Sequence, residues 1–216
     1  MLIRPYDRAI DEAEWRSFVT EHDFGQLIVP VAGGLPVVVP THFVLDPGGD
    51  VAFHLARENP AFTALEEVQD VLFTIIGAYT YIPTDWNANP GADPLYGIPT
   101  SYYAAVQIAA RATVVDDPDE LAAILRLQLG HFQPQGGHAP VEPGDDGYGR
   151  ALVNIRGIRL AVRSVQAKFK FGGNKAPAHR LTIADRLEAR DAPFDLEARD
   201  HLVRRLEAQR RGATGD

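Results

Sequence analysis

The sequence of 216 residues contains no cysteine, and this absence removes two classes of site at once. Disulfide bridges cannot form, and metal sites built on thiolates are excluded. Long apolar runs are also missing, since no stretch approaches the ~20 residues that a helix needs to cross a bilayer. The N-terminal segment MLIRPYDRAIDEAEW carries charge but lacks the apolar run of a secretory signal, so we expect a cytoplasmic protein.

Several sequence motifs of common enzyme classes are absent as well. Without GxGxxG or GxxxxGK[ST], a Rossmann or P-loop nucleotide site has no support. GxSxG is missing too, and no Ser-His-Asp arrangement can be assigned. We therefore identify no acid, base or nucleophile, which still leaves room for a flavin enzyme because a flavin carries the hard chemistry itself.

Acidic residues are missing from one long segment of an otherwise acidic chain. The formal net charge is −8, yet no Asp or Glu occurs between Gly147 and Ala184. The segment holds these basic residues: Arg150, Arg156, Arg159, Arg163, Lys168, Lys170, Lys175 and Arg180. A small anionic ligand, pairing with the protein's own acidic surface, or a nucleic-acid stripe would each explain it. The overall negative charge makes direct DNA binding doubtful.

The stretch VAFHLARENP, residues 51–60, organises the rest of the chain. It follows a PGGD turn and is predicted to be the second arm of a β-hairpin. Strand alternation places Ala52, His54 and Ala56 on one face, where small neighbours leave room for a ligand. Arg57 and Asn59 follow at the strand end, just before a predicted helix start, and this arrangement is typical of an anion cradle.

The hairpin register decides which side chain lies opposite His54. If Asp46 pairs with Val51, Phe43 faces His54, whereas a slip of one residue places His42 there. Two histidines in neighbouring strands suggest a metal, but no third ligand stands at a clear spacing. We therefore predict no metal site.

The remaining pattern predicts six or so strands with helices between and after them. Asp11 and Asp117 are predicted helix caps, and Pro40 should mark a sheet edge or a bulge. A long segment from Thr84 to Ser101 is rich in proline and aromatic residues, which is typical of a functional loop. Together these features predict a mainly β fold, an antiparallel barrel with peripheral helices.

Four ordered motifs then make the chain resemble a known family. They are HLARENP from His54, GAYTYIPTDW from Gly77, IPTSYYAAV from Ile98 and AKFKFGGN from Ala167. Together they resemble the PaiB family of FMN-binding negative transcriptional regulators. The resemblance implies a flavin-reductase-like split β-barrel, antiparallel and Greek-key-like, over residues 1–190, with a helical extension over 191–216.

The resemblance also implies a cofactor, a partner and a set of site residues. Split barrels of this kind are homodimers that bind FMN in clefts between subunits. Arg57 and Asn59, with Lys168 or Lys170, would bind the phosphate, and Trp86 and Tyr103 would form walls contributed across the dimer. The expected contacts to the ring or ribityl chain are Thr41, His42, His54 and Ala56.

The chain departs from the family pattern near this pocket. Asn87 follows Trp86 where the family has an aromatic residue, and AKFKFGGN replaces a pattern ending in LSQN. Two further interpretations therefore stay open beside the regulator. One is an FMN-dependent oxidoreductase or haem-handling relative, and the other is a dimeric interaction module that has lost its flavin.

Overall fold

The structure is a computed structural model that describes residues 1–144 and 147–213, with side chains as far as residue 211. The last three residues of the predicted C-terminal extension, 214–216, lie outside the described residues. The strands are β1 (Phe24–Val29), β2 (Val37–His42), β3 (Val44–Leu45), β4 (Val51–Ala56), β5 (Asp70–Ile82), β6 (Thr100–Val115) and β7 (Ile155–Lys170). The α-helices are α1 (Glu12–Glu21), α2 (Ala61–Glu67), α3 (Thr84–Asn87), α4 (Pro118–Phe132), α5 (Gly147–Leu152), α6 (Pro177–Arg190) and α7 (Asp195–Ala213).

Among the described residues, the seven strands form one antiparallel sheet in the order β2-β1-β5-β6-β7-β4-β3. The sheet is not closed, and the mainly β fold with peripheral helices is confirmed. Pro40 lies in β2, the strand at one edge, opposite Gln26. An edge strand tolerates proline because no neighbour needs the missing N–H. The strand pairing is interrupted at Phe43, which separates β2 from β3.

The contacts divide the chain into two compact units. The first unit comprises the described parts of Met1–Ser17, Ile76–Val106 and Gln166–Asp216, and the second those of Phe18–Ile75 and Gln107–Val165. Strands β5, β6 and β7 each contribute residues to both units. Each unit has its own buried cluster and its own candidate residues, so each is described by itself.

The second unit is centred on α4 packed against strand residues. Asp117 accepts hydrogen bonds from the backbone N–H groups of Asp119 and Glu120, so the predicted cap is confirmed. Leu121 and Ile124 are buried, and burial of such a side chain contributes about 1.5–3 kcal/mol. Gly157 permits this close approach, because a Cβ there would stand 2.7 Å from Ile124 Cδ1.

The first unit is held by a buried ion pair between α1 and α7. Arg205 Nη1 donates to both carboxylate oxygens of Glu14, at 2.9 and 2.8 Å. The predicted cap of α1 is also confirmed, since Asp11 Oδ1 accepts from the Glu14 N–H at 2.8 Å. Removal of one partner of such a buried pair typically costs about 3–5 kcal/mol, so this contact fixes the N-terminal segment to the last helix.

Candidate functional site

The hairpin register brings two histidines together in the second unit. Val44 pairs with Ala52 and Leu45 with Val51, which is the slipped register of the two alternatives. The rings of His42 and His54 consequently lie edge to face, with centroids 5.6 Å apart. Burial, with a further contribution from His54, lowers the pKa of His42, so its ring is neutral at neutral pH. Phe132 packs edge-on against His42 at 5.1 Å and closes one side of this imidazole pair.

Gln128 completes the group around the imidazole pair. His54 Nδ1 donates to Gln128 Oε1 at 2.6 Å. The Gln128 side chain is buried, and within the described part of the chain its Nε2 has no hydrogen-bond partner. A buried donor without a partner costs free energy, so this amide is suited to a ligand acceptor such as a ring carbonyl.

Sequence reasoning missed Gln128, although a signal was present. The apolar stripe of α4 runs through Leu121, Ile124 and Leu125, and Gln128 stands on the same face, four residues after Ile124. A polar residue inside a helix's buried stripe needs a partner. That interruption of the apolar pattern pointed to a polar group facing the sheet.

Arg57 lies just beyond the end of β4 and is already oriented by the protein. Its Nε donates to Val153 O at 2.6 Å and its Nη2 to Ile155 O at 3.2 Å. Asp116 lies 3.5 Å from Arg57 Nη1 and accepts a 2.7 Å hydrogen bond from Arg156 Nε. These hydrogen bonds, that from Arg156 above all, lower the pKa of Asp116. Two guanidinium groups therefore contact one ionised carboxylate at this strand end, and the Arg57 side chain remains 46% exposed.

The helix start beside Arg57 uses its donors internally. Asn59 Oδ1 accepts from the Ala61 N–H at 3.0 Å, and Asn59 O accepts from the Phe62 N–H at 3.1 Å. Asn59 thus accepts from the first two N–H groups of α2, and those donors are taken. An anion bound at this strand end would therefore depend on side chains. The sequence-based prediction had also counted on the free N–H groups of the helix start.

Two further predicted residues lie in the same unit. Thr41 is buried in β2 and its Oγ1 donates to His42 O at 3.1 Å. Ala56 is exposed at the end of β4 and leaves the strand end open. Thr41, His42, His54, Ala56, Arg57 and Asn59 therefore all belong to the second unit.

The other four predicted residues belong to the first unit. Lys168 and Lys170 place their ammonium groups 5.4 and 5.8 Å from the ring centroid of Tyr103. The ring of Trp86 has a different partner, the guanidinium of Arg190, which lies 4.6 Å from the ring centroid. The structure thus brings Tyr103, Lys168 and Lys170 together and gives Trp86 different neighbours.

The acid-free segment is compensated in part by the protein's own carboxylates. Arg159 pairs with Asp46 at 2.9 Å, Arg163 with Asp70 at 2.9 Å, and Arg156 with Asp116. Internal pairing, one of the three explanations considered for the basic segment, therefore applies to these arginines.

The described part of the chain has neither a membrane-spanning helix nor a cluster of metal ligands. No helix there is long and apolar enough to span a bilayer. Nor do its His, Asp and Glu side chains form a group of three or more that could hold a metal ion.

The mainly β fold places the chain among proteins with a split-barrel-like fold. The structure is similar to the flavocytochrome Anf3 of Azotobacter vinelandii, with a TM-score of 0.61 and 18% identity, covering 79% of this chain and 73% of that one. It is also similar to an FAD and haem binding protein of Mycobacterium smegmatis, with a TM-score of 0.58 and 13% identity over 81% and 78% of the two chains. At these identities the likeness shows the fold alone.

The family model described as "Putative FMN-binding domain" matches residues 1–164. The chain belongs to this FMN-binding family, and family membership assigns FMN as its cofactor. A curated relative, "Protease synthase and sporulation protein PAI 2" of Bacillus subtilis, is 24% identical over 97% of this chain and 100% of its own. The resemblance to the PaiB family is therefore confirmed.

Proposed function

We propose that this chain is an FMN-binding regulator of the PaiB type that acts as a negative transcriptional regulator in the cytoplasm. The flavin ring would lie at the imidazole pair, with Gln128 Nε2 donating to a ring carbonyl, and Arg57 would bind the phosphate. When bound, FMN would supply redox chemistry and a redox-dependent shape; the residues of this chain bind and orient it.

One observation supports this location of the flavin: a buried amide donor without a partner lies beside two imidazoles, in the unit that also contains Arg57. Gln128 is 3% exposed, and Ala56 is exposed two residues after His54 on the same strand. From His54 to Arg57 the chain advances roughly 10 Å at the rise of an extended strand. That separation suits a ligand with a ring at one end and a phosphate at the other. All these residues lie within the matched range 1–164.

The location is tested by Arg57→Ala with FMN and riboflavin compared by fluorescence titration. A charge-assisted hydrogen bond contributes about 1.5–3 kcal/mol, so FMN should bind about tenfold to a hundredfold more weakly. Riboflavin, which lacks the phosphate, should bind both forms equally. Arg111→Ala, another partly exposed arginine of the second unit, is the control and should leave both ligands unchanged.

Equal weakening of FMN and riboflavin would show that Arg57 is structural and that the phosphate lies elsewhere. Gln128→Leu separates the ring from the phosphate, because it should weaken both ligands alike. If purified protein binds neither flavin, the location and the regulator proposal built on it both fail.

The proposed role as a transcriptional regulator rests on the similarity to the PaiB family. We propose that this regulation needs no tight direct contact between the protein and DNA. The pairing of Arg156, Arg159 and Arg163 with carboxylates supports this, since paired cations release few counterions from phosphate. In a strain lacking the gene, target transcripts should rise, and wild type should restore repression where Arg57→Ala does not. Transcripts that do not change would contradict the regulator. Sequence-specific retention of promoter DNA at physiological salt would contradict the indirect mode.

We also propose a homodimer. Ile76, Tyr79 and Tyr81 are 68%, 53% and 51% exposed on β5, which is more apolar surface than one strand usually leaves in water. Sedimentation velocity at micromolar concentration should give the mass of two chains. A single species of one chain would contradict the proposal.

A further inference from the structure

The first unit contains a cavity of about 500 Å³ that the flavin site does not use. Its lining includes Tyr6, Asn87, Tyr102, Lys168, Lys170 and Lys175. All of these residues belong to the first unit, and the three lysines lie beyond the matched range 1–164. We call it the lysine cavity. A volume in this range suits a small organic molecule rather than a single ion.

The chain has no lysine anywhere else. Of its 21 basic residues, 18 are arginine and three are lysine, and those three lysines all line this cavity. An ammonium group is a compact point charge with three rotatable donors, well suited to an anion whose geometry is not fixed in advance. A chain that places every lysine on one cavity concentrates this chemistry there.

The lysine ammonium groups contact neutral acceptors. Lys168 Nζ donates to Leu2 O at 3.0 Å, Lys170 Nζ to Thr100 Oγ1 at 2.7 Å, and Lys175 Nζ to Asn87 O at 2.8 Å. Across residues 1–144 and 147–213, no carboxylate forms an ion pair with any of them. Each ammonium therefore keeps donors and a full charge for a ligand.

Tyr102 adds a buried donor that has no partner. The residue is 1% exposed, and among the described residues its hydroxyl makes no hydrogen bond. Burial raises the pKa of Tyr102 to about 12, so the hydroxyl keeps its proton at neutral pH. Gly172 makes room for it, because a Cβ at that position would stand 2.2 Å from the hydroxyl oxygen. Tyr102 lines the cavity together with the three lysines, so its unpaired hydroxyl is a further donor suited to an anion.

The lining of the cavity carries more basic than acidic residues. Its basic members are Arg4 and the three lysines. Asp7 is the one acidic residue of the lining, and burial raises its pKa, although Lys168 and Lys170 partly oppose the shift. The balance of charge around the cavity is therefore positive.

We propose that the lysine cavity binds a small organic oxyanion, a phosphate monoester or a carboxylate on an apolar body, as a ligand separate from FMN. Lys168, Lys170 and Tyr102 donate to the oxyanion, and Tyr6, Tyr96 and Ile98 contact the body. These three side chains are 41%, 82% and 78% exposed and supply an apolar rim. The proposal stands on residues of the first unit and does not depend on where FMN binds.

Calorimetric titration of the full chain with three probes tests it. Phenyl phosphate and benzoate present the two anions on one aromatic body, and benzyl alcohol presents the body without charge. At least one anion should bind at least tenfold more tightly than the alcohol, and the better one identifies the class. No preference for either anion over benzyl alcohol would overturn the proposal.

Variants then separate this site from the flavin site. Tyr102→Phe and Lys170→Ala should each weaken the preferred anion about tenfold. Arg57→Ala should leave it unchanged. Thermal melts show whether either variant has lost its fold. If one has, Lys168→Ala is used in its place. If Lys170→Ala weakens FMN instead of the anion, the cavity is a flavin site and the inference is wrong.

Amine labelling gives a second measurement that needs no variant. Because the only lysines line the cavity, mass spectrometry after acetylation reports on this site and the N-terminus alone. The preferred anion should slow modification of Lys168 and Lys170 severalfold and leave riboflavin binding unaffected. Equal labelling rates with and without the anion would overturn the proposal.

Discussion

The strand end at Arg57 and the lysine cavity offer positive charge in two different ways. At the strand end, Arg57 and Arg156 share Asp116, and two backbone carbonyls fix Arg57 further. In the lysine cavity, Lys168, Lys170 and Lys175 contact neutral oxygens. The first arrangement orients a planar donor for one geometry, whereas the second leaves mobile charges for an anion of variable shape. Clustered cations thus serve different kinds of binding in the two places.

The largest effect should come from filling the space at Gly172. Its φ of +69° is strained for any other residue and the Cβ of Gly172→Ala would collide with the Tyr102 hydroxyl. The variant should lose on the order of 1–3 kcal/mol of unfolding free energy and bind phenyl phosphate more than tenfold more weakly. Denaturant unfolding and calorimetry measure the two effects.

Gly33→Ala is the matched control for strain. Gly33 has a φ of +67° but nothing within 4 Å of an added Cβ, and it belongs to the second unit. It should lose similar stability and keep its affinity for phenyl phosphate. If both variants weaken the anion equally, strain rather than the cavity is responsible.

A smaller effect is expected from removing the cavity's carboxylate. Asp7→Asn takes away the one negative charge of the lining, so phenyl phosphate should bind about threefold to tenfold more tightly at pH 7. Asp85→Asn, an exposed carboxylate of the same unit, should change nothing.

The raised pKa of Asp7 also predicts how the stability of the protein changes with pH. Because burial raises its pKa, the folded chain keeps this proton where the unfolded chain has lost it. Stability should therefore fall as pH rises from the usual Asp range through the raised pKa, and Asp7→Asn should flatten this part of the profile. Urea unfolding at a series of pH values from the usual Asp range upward measures it. A profile unchanged by Asp7→Asn would contradict the assignment.

The smallest effect should come from Asp116→Asn at the strand end. The carboxylate is 48% exposed, so solvent screens its competition with an incoming phosphate, and FMN should bind only about twofold to threefold more tightly. Its pKa is lowered, so the stability from its pairs is present above the usual Asp range and lost as pH falls through the folded pKa. FMN titration of the variant checks the affinity, and weaker binding would show that Asp116 helps to hold the phosphate.

Local patterns in the sequence predicted much of the fold. Turn residues gave the hairpin before β4, Asp11 and Asp117 gave helix caps, and Pro40 gave a sheet edge, because each depends on neighbours within a few residues. Whether His42 or Phe43 lies opposite His54 depends on a difference of one residue in the turn, and the sequence left both registers open. The structure shows the slipped one.

The candidate sites were harder to predict because they depend on distant partners. HLARENP marked Arg57, but its contacts with Val153, Ile155 and Asp116 join residues about 60 to 100 positions away. Gln128 interrupts the apolar face of α4, but whether its Nε2 and the Tyr102 hydroxyl find partners depends on distant residues, and no local pattern shows that. Through the resemblance, Lys168 or Lys170 was predicted to bind the FMN phosphate and Tyr103 to form a wall of the cleft, and both roles stay predictions. That the two lysines lie beside Tyr103 was not predicted.

The most direct test of two separate sites is lysine labelling of the protein saturated with FMN. With flavin fluorescence confirming full loading, Lys168, Lys170 and Lys175 should acetylate at the rates of the flavin-free protein, and phenyl phosphate or benzoate should then slow them. Protection of these lysines by FMN itself would contradict the account, because it would place the flavin phosphate in the lysine cavity and leave Arg57 without its proposed ligand.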